Sequence, residues 1–114
     1  MTTNADDLKD FVLEILQEKN AEDINVMKLA NEVALAKYMI FTTGKSIKNI
    51  SSIAEIISLE LKHKLHHASS LEGLKGSDWI VLDAGEVIVH LFNPESRDAI
   101  KLDQLWNRRN NSLN

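Results

Sequence analysis

Three groups of residues have types and spacings that could do chemistry. The first is Thr42-Thr43-Gly44-Lys45-Ser46, which follows the apolar run Tyr38-Met39-Ile40-Phe41 and imitates the end of a phosphate-binding loop. That motif needs a second glycine five positions before the glycine of Gly-Lys-Ser, so that a long backbone nest can cradle two phosphates. Met39 stands there instead. The spacing therefore makes Gly-Lys-Ser a strand-to-helix turn, with Gly44 allowing a sharp change of direction and Ser46 serving as an N-cap. The second group is His63, His66 and His67, which would share one helix face as two zinc ligands do. Lys64 occupies the place where the metalloprotease motif carries its Glu, and histidines suit the negative end of a helix. A polar helix terminus is the better reading, and no metal site is expected.

The third group is Asp83, Glu86 and His90. Two neighbouring carboxylates could share a proton, or hold magnesium through oxygen ligands. No Ser or Cys stands at a recognisable elbow and no cofactor fingerprint accompanies them, so catalysis is disfavoured and no cofactor is expected. The competing reading is a metal-dependent nucleotidyl or phosphoryl transferase that uses Asp83 and Glu86. It would normally want a Gly-Ser strand-end and a further spaced acid pair, neither of which is visible as such a motif.

The elements that must position these residues follow from periodicity. Leu8, Phe11, Val12, Ile15 and Leu16 recur at helical spacing and predict a helix over residues 5–19, with Asp6 and Asp7 in its first turn. Residues 23–29 alternate as a strand, a short turn or helical piece covers 31–36, and 38–42 form a second strand. Ile47, Ile50, Ile53, Ala54, Ile57, Leu61 and Leu65 then form a stripe of more than five helical turns behind Ser46. A short extended stretch at 68–72 and the loop Gly73–Ser77 lead to two β-rich runs, Asp78–Asp83 and Glu86–Phe92, separated by Ala84-Gly85. Counting outward from that gap pairs Asp83 with Glu86, Val81 with Ile88, and Trp79 with His90. One face of this hairpin holds Ile80, Leu82, Val87, Val89 and Leu91, and must pack under helices. The other holds Trp79, Val81, Asp83, Glu86, Ile88 and His90. On that face Trp79 is either a core aromatic or the half-wet anchor of an interface. Pro94 ends the last strand, and short helical turns are expected at 97–100 and 102–106. The order α-β-β-α-β-β-β gives an α/β fold, a small mixed sheet covered by helices.

Composition narrows the function classes. The chain's 114 residues suit one domain, and 44% apolar with 26% charged residues is ordinary for a protein with its own core. Cysteine is absent, which removes disulfides and thiol chemistry and fits a reducing compartment. The N-terminus resembles no targeting signal and no run reaches membrane-spanning length, so a cytoplasmic protein without membrane partners is expected. A net charge of −4 disfavours phosphate-neutralising or direct sequence-specific nucleic-acid binding and is compatible with a basic protein partner.

At this point the residues resemble a known family. "DWIVLDAGEVIVHLF" followed by "NPESRDAIKLDQLW" is similar to the C-terminal signature of the ribosomal silencing factors, the RsfS or Iojap family. There a Trp-hydrophobic-Asp-x-Gly-acid hairpin with a closing His precedes an Arg and ends in Leu-Trp. "YMIFTTGKSIKNISSIAEII" resembles the family's strand, Thr-Gly turn and long helix, and "AEDINVMKL" its first strand. The likeness spans roughly residues 6–107 of one domain over 1–114. It implies a nucleotidyltransferase-like fold without catalysis. It also implies a homodimer that binds the large ribosomal subunit through ribosomal protein L-fourteen, blocks small-subunit joining and lowers translation. Trp79, Asp83, Gly85, Glu86 and His90 match the hairpin pattern, and Arg97, Leu105 and Trp106 match the tail. The partner-binding set implied is Trp79, Asp83, Gly85, Glu86, His90 and Arg97. Lys45, Lys37 and Ile100 depart from the family's usual Thr, Asp and Tyr.

Overall fold

The computed structural model describes residues 3–29, 36–73 and 78–96. Helix α1 spans Ala5–Glu18. Its N-cap Asn4 accepts the Asp7 N–H at 2.8 Å, and Leu8, Val12, Ile15 and Leu16 form its buried stripe. Strands β1 (Glu22–Lys28) and β2 (Tyr38–Thr43) come next, then helix α2 (Ile47–Leu65). Strands β3 (Ser70–Glu72), β4 (Trp79–Asp83) and β5 (Val87–Phe92) complete the order expected from periodicity. The segments expected as a turn at 31–36 and as helical turns at 97–100 and 102–106 lie wholly or almost wholly outside the described residues.

The five strands form one sheet in the order β1-β2-β5-β4-β3. The central pair β2–β5 is parallel and the other pairs are antiparallel. Every residue of β2 is buried, as befits a strand flanked on both sides and covered on both faces. Both helices lie on one face. Ile50, Ile53, Ala54, Ile57 and Leu61 of α2 and the α1 stripe pack on Ile40, Ile80, Leu82, Val87, Val89 and Leu91. The hairpin's aliphatic face is thus the helix-covered one, as its alternation requires. Burying the four large α2 side chains contributes roughly 6–12 kcal/mol at about 1.5–3 kcal/mol each. The Ser46 cap adds about 1 kcal/mol. Packing decides where this helix sits, and the cap decides where it starts.

The hairpin turn differs from the expected one. It lies at Gly85-Glu86, one residue later than Ala84-Gly85. Ala84 N–H donates to Val87 O at 2.9 Å, and Gly85 has φ +88°. Glycine at the first central position is what a type II′ turn requires. The pairs become Asp83–Ile88, Val81–His90 and Trp79–Phe92, a slide of two residues from the count given above. Since side chains alternate with period two, an even slide keeps both faces intact. It does move Glu86 out of the strand and into the turn.

Candidate functional site

The sheet face away from the helices carries an aromatic layer. Register places Met39 and Phe41 of β2, Ile88, His90 and Phe92 of β5, and Trp79, Val81 and Asp83 of β4 on this side. Phe41 and Phe92 are fully buried, and with Met27, Leu29 and Met39 they make a second apolar cluster, against which Trp79 and Ile88 pack. The hairpin alone does not show this layer. Its signal is the run Met39-Ile40-Phe41, apolar at both parities, which marks a strand buried on two faces.

His90 sits inside this layer, only 7% exposed, and not at the docking surface where the alternation put it. Its imidazole stacks on Phe41 with centroids 4.9 Å apart and planes 10° off parallel. Burial among rings pushes its pKa down from 6.5 to about 4, so the ring is neutral near pH 7. Nδ1 accepts the Trp79 indole N–H at 3.1 Å, whereas the buried Nε2 has no hydrogen-bond partner among the described residues. Trp79 is half-buried and lies along Phe92, 5.5 Å between centroids.

The acids occupy the exposed end of the same hairpin. Asp83, Gly85 and Glu86 are exposed, and Asp83 Oδ1 accepts the Gly85 N–H at 2.9 Å. Contacts to the tip's carbonyls hold it from both flanks. Glu86 O accepts the N–H groups of Lys37 and Tyr38 at 2.9 and 3.0 Å, and His67 Nε2 meets Ala84 O at 2.6 Å. The structure therefore brings Asp83, Gly85 and Glu86 together at the hairpin tip, and sets Trp79, with His90 behind it, at the opposite end of β4. Arg97, Ile100, Leu105 and Trp106 lie outside the described residues.

The other two groups lie at the two ends of α2. In the Gly-Lys-Ser turn Gly44 N–H donates to Phe92 O and Lys45 N–H to Asn49 Oδ1, while Ser46 Oγ caps α2 by accepting the Asn49 N–H. Gly44 earns its place by closeness and not by turning ability: a Cβ there would lie 2.4 Å from Ile50 Cγ2 and 2.8 Å from Asn49 Oδ1. Helix α2 ends at Leu65, and His66 adopts a left-handed cap with φ +52°. His67 is drawn off to Ala84 O, whereas His63 and His66 still line one cavity with Ser58, Lys62 and Ser69. Among the described residues no group of three or more His, Asp or Glu could hold a metal ion, and none of their helices is long and apolar enough to cross a membrane.

Comparison with known proteins follows the same lines. The family described as "Ribosomal silencing factor during starvation" matches residues 2–114. The chain is 33% identical over 96 residues to the ribosomal silencing factor of Zymomonas mobilis, covering 84% of this chain and 72% of that protein. It is 27% identical over 103 residues to the Mus musculus protein "Mitochondrial assembly of ribosomal large subunit protein 1". That match covers 88% of this chain and 45% of the mouse protein. A crystal structure of a protein from Chromobacterium violaceum superposes with a TM-score of 0.85 at 25% identity, over 92% of this chain and 88% of that one. With the family matched along nearly its whole length on this mixed sheet, the chain belongs to the ribosomal silencing factor family.

Proposed function

We propose that the protein represses translation by binding the large ribosomal subunit through ribosomal protein L-fourteen and so blocking the joining of the small subunit. The observation that carries this reading is the hairpin edge. A half-buried indole lies at one end of β4 and two exposed carboxylates lie at the other, on a tip held from both flanks. Such an edge is suited to a basic protein surface: Trp79 supplies an apolar anchor, Asp83 and Glu86 steer, and the −4 net charge favours the approach. The large-subunit name of the mouse relative supports the same partner. The protein acts as a cytoplasmic homodimer, and the hairpin edge, with Arg97, forms the contact.

Sedimentation with isolated large subunits, followed by a subunit-joining assay, tests this reading. Trp79→Ala loses on the order of 2 kcal/mol or more, about thirtyfold in affinity, and ceases to block joining. Asp83→Ala with Glu86→Ala slows association and flattens its salt dependence. A folded Trp79→Ala protein that blocks joining at wild-type concentrations would place the contact elsewhere.

A further inference from the structure

We propose that His90 is a positioning residue, the group that aims the Trp79 indole at the docking partner. The inference rests on the docking role given to Trp79 above and adds the device that holds it.

The geometry is specific. Trp79 pairs with Phe92 and Val81 with His90, so Trp79 and His90 are diagonal neighbours on one sheet face. Phe92 lies along the indole and Phe41 lies flat on the imidazole, so each ring has a fixed plane. The indole N–H then reaches Nδ1 at 3.1 Å. An indole nitrogen only donates, so Nδ1 must carry a lone pair and the His90 proton sits on Nε2. That choice leaves a buried Nε2–H without a partner among the described residues, an arrangement that costs stability. Phenylalanine would fill the same stack without that cost. What it cannot do is accept from Trp79. The imidazole is the ring that both stacks and accepts, and acceptance fixes the indole's rotation about its side-chain bonds.

The test uses the full chain and three substitutions. His90→Phe keeps the stacked ring and removes the acceptor. His90→Asn returns an acceptor the same number of bonds from the backbone but no ring. Trp79→Phe removes the donor. His90→Phe is expected to fold and to bind large subunits about tenfold more weakly, with His90→Asn recovering part of that loss. On a Trp79→Phe background, His90→Phe should cost no further affinity, because the two act as a unit. The Trp79 indole N–H resonance should move in His90→Phe, which a role limited to filling space would not require.

Wild-type affinity in a folded His90→Phe protein, or an undiminished loss on the Trp79→Phe background, overturns the proposal. Should the wild-type chain not bind large subunits at all, the docking reading has failed. The resonance still decides the geometry: an indole N–H unmoved by His90→Phe overturns the positioning role independently. If His90→Phe does not fold, coupling across the hydrogen bond between the indole N–H and Nδ1 in the wild-type protein replaces it, and its absence is equally decisive.

Discussion

Mild acid should weaken this fold through a single imidazole. In the folded chain burial holds the His90 pKa at about 4, against 6.5 for an unburied histidine. Between those values the unfolded chain carries a proton that the folded chain lacks. Its stability contribution is therefore fully present above about pH 6.5 and is lost as pH falls toward 4. The gap of about 2.5 corresponds to about 3 kcal/mol at 1.36 kcal/mol for each step of one. Between about pH 7 and about pH 5 the expected loss is close to 2 kcal/mol, a large share of a small domain's stability. Urea unfolding of the wild-type protein and of His90→Phe across that range isolates the effect, because every other titrating group is common to both. The wild-type curve should fall more steeply by about 2 kcal/mol. Parallel curves would mean that His90 titrates as a solvated histidine and that the aromatic layer does not exclude water.

Gly44→Ala should destabilise by about 1–3 kcal/mol in chemical denaturation, since the new methyl group meets Ile50, which is fully buried and cannot withdraw. Lys45→Ala should change stability by less than about 0.5 kcal/mol and leave large-subunit binding unaltered; saturable ATP or GTP binding abolished by it would revive the phosphate-loop reading. His67→Leu removes the contact to Ala84 O, so a loss of about 1 kcal/mol is expected, with faster amide exchange confined to the hairpin tip. Tyr38→Phe should bring the Asp6 carboxyl back up toward its ordinary range, because the Tyr38 hydroxyl is the main group holding it down; carbon-detected titration would show this.

The elements most legible in the sequence were those that bury one continuous stripe. The α2 pattern from Ile50 to Leu61 and the hairpin's aliphatic alternation each named the face that packs, and the structure buries those side chains. Turn position was harder to read. Ala84-Gly85 and Gly85-Glu86 are both two-residue gaps, and the backbone conformation of Gly85 chooses between them. The burial of His90 had no local signal, because the ring that covers it, Phe41, comes from a strand distant in sequence. Gly44 was visible as a glycine, but its reason lies in the nearness of Ile50, which only the docked helix creates. The three histidines looked like a cluster because helical spacing was extended past Leu65, where the helix stops.

The parallel seam at the centre of the sheet also governs how the chain must fold. Every pair between β2 and β5, from Tyr38–Val87 to Thr43–Phe92, joins residues 49 positions apart (87 − 38). The hairpin pair Asp83–Ile88 spans only five (88 − 83). Closing the longer loop costs about 2 kcal/mol more in chain entropy than closing the shorter one. The chain thus divides into two halves that can form by local search, β1–β2 and β3–β4–β5, and one seam that cannot. Helix α2 lies within that connection, and its early formation would shorten the search. Seam closure should accordingly limit refolding: in stopped-flow measurements, substitutions at Ile40 or Val89 are expected to slow folding, and changes at the hairpin tip to act on the unfolding rate.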